Sequence, residues 1–223
     1  MSDTDSFIEE VTEEVRRDKL FALMKKYGWI AVLAVVVIVG SAAYNEWRKA
    51  QATAAAEKLG DDIVTAMKAD DAAAREQALA GVESGSAVAG AVVAMMRAAE
   101  LAEAGDAAGA VTLLDSVASN GEIPMIYRQV AGFKSLLVQG EKLDAAERRV
   151  RLEGLVTTAP TLRLPAEEQL ALLDVSEGKA QDAIERLQRI LADAEVTGDL
   201  RRRASQLIVS LGGELKAADQ AGE

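Results

Sequence analysis

The side chains best suited to acid–base or metal chemistry in this chain are its 36 aspartates and glutamates, because it contains no histidine and no cysteine. The absence of histidine excludes Ser-His-Asp and Cys-His nucleophile systems and histidine-bound zinc or iron. The absence of cysteine excludes thiolate nucleophiles, disulfides and cysteine zinc sites. A carboxylate pair or an all-carboxylate metal site stays open, but no such pair stands apart from the many solvated acids. The sequence therefore predicts a protein that is not an enzyme, with no cofactor and no metal.

The charge distribution restricts the partners further. The formal net charge is −11 at pH 7, and an acidic protein repels phosphate backbones, so we expect no nucleic acid as partner. We also expect no small-molecule substrate. Two arginine clusters, at 148–151 and 201–203, could dock anionic lipid headgroups or acidic partners. The alternative is that they are solvated helix faces paired with Glu147, Glu153 or Asp199.

One segment near the N-terminus indicates a membrane. The nineteen residues 27–45 carry no charge, and as a helix they would be about 29 Å long at 1.5 Å per residue. That length is close to the hydrocarbon core of a bilayer, which is about 30 Å thick. Aromatic residues suited to the membrane interface flank the segment at both ends; they are Tyr27, Trp29, Tyr44 and Trp47. We therefore predict a single transmembrane helix over residues 27–47.

Two other interpretations compete with this anchor. A cleaved signal peptide would use the small residues 41–43, but the segment before the span is 26 residues long and contains seven acids, unlike a short basic leader. A buried core helix would be unusual, because residues 29–43 are apolar or small on all faces. Both interpretations are therefore less favoured than an uncleaved membrane anchor.

The flanking positive charges predict the orientation. Five lysine and arginine residues precede the span, and three follow it within residues 48–58. By the positive-inside rule this difference favours a cytoplasmic N-terminus. We therefore predict a single-pass protein of a bacterial inner membrane, with its C-terminal domain in the periplasm.

The N-terminal tail, residues 1–26, has the pattern of an amphipathic helix. Ser6 and Glu9 form a capping box, and Ile8, Val11 and Val15 follow at helical spacing. Such a helix would rest on the membrane or on a partner in the cytoplasm. The alternative is a helix that merely extends the anchor.

The rest of the chain predicts an all-α fold, since it is rich in alanine, leucine, glutamate and arginine and contains only three prolines in total. Residues 48–85 are predicted to be membrane-proximal helices that lead into an array formed by residues 86–223. The first helix would extend from the membrane to about Lys68. Glycine and proline positions delimit further helices, near residues 71–82, 87–104, 107–118, 124–139, 143–157, 165–177, 180–195 and 199–211.

A degenerate repeat runs through this array. Its turn glycines are Gly105, Gly140 and Gly178, which are 35 and 38 residues apart. Glycine suits a left-handed turn between two antiparallel helices. An alanine that permits close packing follows each glycine by five residues, and an apolar residue follows it by twelve; these residues are Ala110, Ala145, Ala183, Val117, Leu152 and Ile190.

The repeat resembles the tetratricopeptide repeat, a helix–turn–helix unit of about 34 residues. Small residues at Ala98 and Ala171 and large apolar residues at Leu114 and Leu187 fit that pattern. The middle copy departs from it, with Phe133 at the small position and Arg149 at the large apolar one. The alternative is an ordinary helical bundle in which the glycine spacing is accidental.

The whole layout is similar to a bacterial inner-membrane family represented by the ancillary subunit of the SecYEG translocon. The resemblance rests on residues 11–28 (VTEEVRRDKLFALMKKYG), on the span, and on residues 44–47 (YNEW) leading into an Ala/Glu-rich helix. The resemblance implies a short cytoplasmic N-terminus and a periplasmic tetratricopeptide-like domain. It also implies association with the translocon, with periplasmic chaperones and with newly exported proteins.

We therefore predict a membrane-anchored adaptor or chaperone that binds protein partners, with the lipid bilayer as its other partner. The alternative is an accessory structural subunit of another inner-membrane complex. Stacked helical pairs form extended binding surfaces, so candidate partner-binding residues lie on the first helix of each pair. They are Met95, Met96, Leu101, Tyr127, Arg128, Phe133 and Leu137. The competing interpretation is that Met95, Leu101, Phe133 and Leu137 belong to the core.

Overall fold

The chain is described by a computed structural model that covers residues 3–215, with side chains described at residues 17, 21, 24–30 and 32–215. Contacts divide the chain into two compact units, Met1–Lys58 and Leu59–Glu223. All regular structure within residues 3–215 is helical, which confirms the all-α prediction. The helices are α1 (Asp3–Ala66), α2 (Ala72–Ala80), α3 (Ala87–Glu103), α4 (Ala107–Ser119), α5 (Met125–Gln139), α6 (Ala145–Thr158), α7 (Arg163–Ser176), α8 (Ala180–Leu191) and α9 (Gly198–Ser210). Two 3₁₀ turns lie at Gly140–Lys142 and Pro160–Leu162.

Helix α1 contains the charge-free segment and is long and apolar enough to cross a membrane, by its length and composition. Its most apolar window is not buried at all within the chain, so the competing interpretation of a core helix finds no support. The helix begins at Asp3, so Ser6 does not cap its first turn as the capping-box prediction required. The side chains of Ser6 and Glu9, like the rest of the amphipathic pattern up to Val15, lie outside the described ones.

Polar side chains fix the starts of most of the later helices. The Asp71 carboxylate accepts a hydrogen bond from the Ala74 amide at 2.8 Å, which makes this aspartate the N-cap of α2. The same arrangement recurs at four further N-caps, at Ser86, Asp106, Asp144 and Thr197. The helix bounds predicted from glycine and proline positions are correct to within one or two residues for most helices. Helix α8 is an exception, since it ends at Leu191 rather than near residue 195.

Two of the three predicted turn glycines adopt the left-handed conformation that the repeat pattern requires. Gly105 has φ +90° and Gly178 has φ +76°. At each turn the glycine amide donates a hydrogen bond to the carbonyl three residues earlier. The amide of the next residue donates a hydrogen bond to the carbonyl five residues before it. This pair of bonds is a Schellman motif. A fourth glycine that the repeat pattern missed, Gly212 (φ +78°), closes α9 in the same way.

The middle copy of the repeat differs from the prediction. Gly140 has φ +50° and starts a 3₁₀ turn, so α6 begins only at Ala145. Ala145 is therefore exposed, whereas Ala110 and Ala183 are fully buried against the preceding helix. Helix α5 packs mainly on α4, and α6 mainly on α7. The predicted hairpin across Gly140 is thus not a tight pair, because the extra turn separates its two helices.

Three apolar clusters hold the array together. The first joins α3, α4 and α5 around Leu114. The second lies where Leu136 of α5 meets Leu152 of α6 and Leu170 of α7. The third joins α7, α8 and α9 around Leu187. Residues predicted at the twelfth position after each glycine are all buried. The array is therefore continuous even where its middle hairpin is loose.

Replacing Gly178 with alanine is expected to destabilise the array by about 1 kcal/mol, because a Cβ is strained at this positive φ. The matched control is Gly154→Ala, at an exposed position in the interior of α6 where an added Cβ meets nothing within 4 Å. That substitution is expected to stabilise by about 0.5–1 kcal/mol through helix propensity. Chemical denaturation of both variants measures the difference, and equal effects would contradict the left-handed turn.

Candidate partner-binding groove

A small apolar groove lies between α3 and α5, with α4 beneath it. Its volume is about 140 Å³. Leu114 of α4 forms part of its lining and is 1 % exposed, so the base of the groove belongs to the first apolar cluster. The remaining lining residues are Met95, Ala98, Ala99, Lys134, Leu137 and Val138.

Both walls of the groove follow from the same helical spacing. Helix α3 contributes residues at 95, 98 and 99, and α5 contributes residues at 134, 137 and 138. Positions i, i+3 and i+4 share one face of a helix, so each triplet forms a single stripe. Alanine at 98 and 99 leaves space between the helices that larger side chains would fill. The groove is thus a gap above the packed core, left because these side chains are small.

The structure brings together only two of the seven predicted partner-binding residues. Met95 is a buried member of the first apolar cluster, in agreement with the core interpretation, and it also lines the groove. Leu137 is 45 % exposed at the opposite wall. Leu137 therefore does not belong to the core, contrary to the competing interpretation. Ala98, Ala99 and Val138 were not among the predicted residues.

The other five candidates lie elsewhere on the same helices. Leu101 and Tyr127 pack against the first apolar cluster, and Phe133 packs against the second. Met96 is half-buried. Arg128 is also half-buried, and its Nε is the one buried side-chain nitrogen or oxygen without a hydrogen-bond partner among the described residues. Partner binding by these seven residues stays a prediction.

The four predicted interfacial aromatics are all exposed on α1. Tyr27 and Trp29 lie near one end of the charge-free segment, and the Lys26 Nζ is 5.4 Å from the centre of the Tyr27 ring. At the other end the rings of Tyr44 and Trp47 are 6.1 Å apart between centroids. Exposed rings beside an apolar helix are the arrangement found at membrane interfaces.

A buried carboxylate organises the second half of the array. Asp174 of α7 is 2 % exposed and accepts hydrogen bonds from Arg149 of α6 at 2.7 Å and from Arg186 of α8 at 3.0 Å. Arg186 also pairs with Glu167. Arg149 stands where the repeat pattern requires a large apolar residue, and this pairing explains how the fold accommodates it. One carboxylate thus links three consecutive helices.

The arginine clusters are largely paired within the chain. Besides Arg149, Arg151 pairs with Glu147, and Arg203 pairs with Glu168 of α7 at 2.7 Å. Arg202 likewise pairs with Asp199. This arrangement supports the interpretation of the clusters as paired helix faces and leaves little free charge for an anionic ligand.

The stability contribution of Asp174 is expected to depend on pH. Burial raises the pKa of this carboxyl, but the hydrogen bonds from Arg149 and Arg186 outweigh burial and hold its pKa below the ordinary value. A carboxyl whose pKa is lower in the folded state contributes stability that is present above the unfolded pKa of about 3.9 and is lost as the pH falls through the folded value. The difference in unfolding free energy between the wild type and Asp174→Asn should therefore be flat from about pH 5 to 8 and should shrink below about pH 4. A difference that grows on acidification would contradict this assignment.

The described residues bring together no metal-binding chemistry. Among residues 3–215, no three aspartates or glutamates lie close enough together to hold a metal ion. The described residues instead present three surfaces that could contact a partner or a membrane. These are the apolar groove, the stacked helices of the array, and the exposed apolar helix α1.

Successive helices joined by short turns, most of them packed on the next, define a helical-repeat module. The chain belongs to the tetratricopeptide repeat-like domain family, whose model matches residues 23–154, more than half of the chain. Comparison with curated proteins and with solved structures gives no significant match. The family is typically a non-catalytic module for protein–protein interaction, and the matched region includes both walls of the groove.

Proposed function

We propose that the protein is a membrane-anchored, non-enzymatic adaptor or chaperone that binds protein partners with a periplasmic helical-repeat domain. Its place would be at the Sec translocon, where it would meet exported proteins. The observation that carries this proposal is the presence, in one chain, of an exposed apolar helix and a tetratricopeptide-like domain. The helix offers a way to hold the domain at a membrane, and the domain offers a surface for proteins.

The proposed organisation has four parts. Residues 1–26 form a cytoplasmic amphipathic tail, and residues 27–47 form the membrane span. Residues 48–85 lead into the array, and residues 86–223 form the partner-binding domain. Support for the span comes from its charge-free length and from the exposed aromatic residues at its ends.

The proposed partner rests on the resemblance of residues 11–28, the span and residues 44–47 to the translocon-associated family. Mild detergent extraction followed by crosslinking and mass spectrometry of intact membranes tests it directly. We expect translocon subunits, periplasmic chaperones or exported proteins among the crosslinked partners. Co-purification in fixed stoichiometry with a different membrane complex would replace the proposal with that of an accessory structural subunit.

The proposed orientation has its own test. Alkaline phosphatase fused after Glu223 should be active, because the enzyme requires the periplasm, and a fluorescent protein that matures only in the cytoplasm should stay dark at the same position. The excess of lysine and arginine before the span is the physical reason. The reverse result would place the repeat domain in the cytoplasm and would remove the exported proteins as clients.

A further inference from the structure

We infer that the groove between α3 and α5 binds a partner peptide segment that presents one large apolar side chain close to a carboxylate. This inference rests on the proposed function, namely that the repeat domain binds proteins, and it specifies the chemistry of the bound segment. It follows from two properties of the groove, its size and the charge at its edge.

The size of the groove matches one side chain. A cavity of about 150 Å³ lined by apolar residues holds a benzene molecule, and this groove has a volume of about 140 Å³. A leucine, isoleucine, methionine or phenylalanine side chain would fill it. Leu137, at 45 % exposed, presents apolar surface to water beside the space and would lose that exposure on binding. The groove therefore fits a single apolar anchor rather than a continuous apolar strip.

The charge at the edge of the groove comes from Lys134. Its side chain is exposed, and within residues 3–215 it makes no ion pair. The positions one turn away on α5 are Val130, Ala131, Leu137 and Val138, and none is a carboxylate. An unpaired ammonium beside an apolar surface favours a carboxylate on whatever covers that surface.

This cation contrasts with four half-buried arginines of the array. Arg75, Arg97, Arg149 and Arg186 each pair with a carboxylate of the chain. The chain as a whole is acidic, with a net charge of −11, so its general field favours basic partners. A preference for an acidic segment at this groove would therefore be a local property of Lys134 and not of the whole domain.

The spacing within α5 sets the spacing within the ligand. Lys134 lies one helical turn from Leu137 and Val138, so its Cβ is about 5–6 Å from theirs. A carboxylate three or four residues from the apolar anchor in a helical ligand satisfies this distance. In an extended ligand the carboxylate would be two residues away, on the same face as the anchor.

The test selects peptides from a displayed random twelve-residue library on the full-length protein in lipid nanodiscs. We expect the selected peptides to share one large apolar residue with aspartate or glutamate at one of these spacings. Binding of a selected peptide is then measured by fluorescence anisotropy against Lys134→Glu and Leu137→Asp. Each substitution should weaken binding at least tenfold.

Two matched controls separate the groove from general effects of charge and polarity. Lys142→Glu reverses an exposed charge in the 3₁₀ turn, and Leu172→Asp places a carboxylate at a similarly exposed leucine of α7. Both should leave binding within twofold of the wild type. A peptide with its carboxylate residue replaced by lysine should bind Lys134→Glu better than it binds the wild type. That charge-swap rescue does not depend on whether Leu137→Asp folds fully.

Several outcomes would overturn the inference. The inference is contradicted if the selected peptides are basic or if they lack an apolar anchor. It is also contradicted if peptide binding is insensitive to both groove substitutions. Groove substitutions that change the oligomeric state would show that a second copy of the chain occupies the groove. These outcomes leave the adaptor function standing if membrane crosslinking still yields protein partners. Loss of those partners would instead contradict the function itself.

Discussion

Replacing Val36 and Val37 with aspartate is expected to release the protein from membranes into the soluble fraction. Both residues lie near the middle of the charge-free segment and are exposed on α1. An aspartate at the centre of a transmembrane helix disfavours insertion by about 2.5–3.5 kcal/mol, so two disfavour it by roughly 5–7 kcal/mol. Fractionation followed by a carbonate wash measures the result.

Two controls show whether the effect belongs to the span. Val36→Leu with Val37→Leu keeps the segment apolar and should leave the protein in the washed membrane pellet. Ala54→Asp with Ala55→Asp adds the same charges at exposed positions of α1 beyond the segment, and it should also leave the protein there. If the protein with aspartates at 36 and 37 stays in the washed pellet, α1 is not the anchor.

Replacing Asp174 with asparagine is expected to lower the free energy of unfolding by about 3 kcal/mol at pH 7. The substitution removes the one carboxylate that pairs with both Arg149 and Arg186, and removing one partner of a buried ion pair costs about 3–5 kcal/mol. The lower end applies because both arginines keep a second carboxylate, Glu177 and Glu167 respectively. Urea denaturation monitored by circular dichroism gives the value.

The matched control is Asp199→Asn, the same chemical change in an exposed pair. Asp199 bonds Arg202 three residues later on α9, and both side chains are more than 60 % exposed. Exposed pairs contribute about 0–1 kcal/mol, so this variant should unfold almost like the wild type. Similar losses in the two variants would mean that Asp174 does not link α6, α7 and α8 in solution.

The local parts of the fold could be predicted from sequence. Helices α3 and α4 begin where a serine or aspartate can cap them, and Gly105 and Gly178 reverse the chain because only glycine tolerates their φ without strain. Each of these signals lies within a few residues of the feature it controls. Sequence patterns are strongest for such short-range effects.

The parts that sequence did not reveal depend on contacts between distant residues. Arg149 looked like a defect in the repeat, because its partner Asp174 lies 25 residues away on another helix. Gly140 matched the turn glycines in spacing, but the 3₁₀ turn after it moved Ala145 away from α5. Spacing alone does not report which turn follows a glycine.

The groove shows the same limit. Met95 and Leu137 were predicted, but Lys134 was not, because a lysine on a helix ordinarily indicates a solvated face. The repeated spacing of 95, 98 and 99 with 134, 137 and 138 was present in the sequence and could have identified both walls. What the sequence lacked was the pairing of α3 with α5 across Leu114, which only the fold supplies.

The measurement that tests the central proposal most directly is site-specific photocrosslinking in intact cells. A photoreactive residue at position 137, in the groove, is compared with one at the exposed Val209 of α9. We expect discrete adducts with translocon subunits or exported proteins from position 137. These adducts should be much weaker from position 209, and they should disappear when aspartates at 36 and 37 release the protein from the membrane. No protein adduct from either position, or adducts unchanged by that release, would contradict a membrane-anchored partner-binding function.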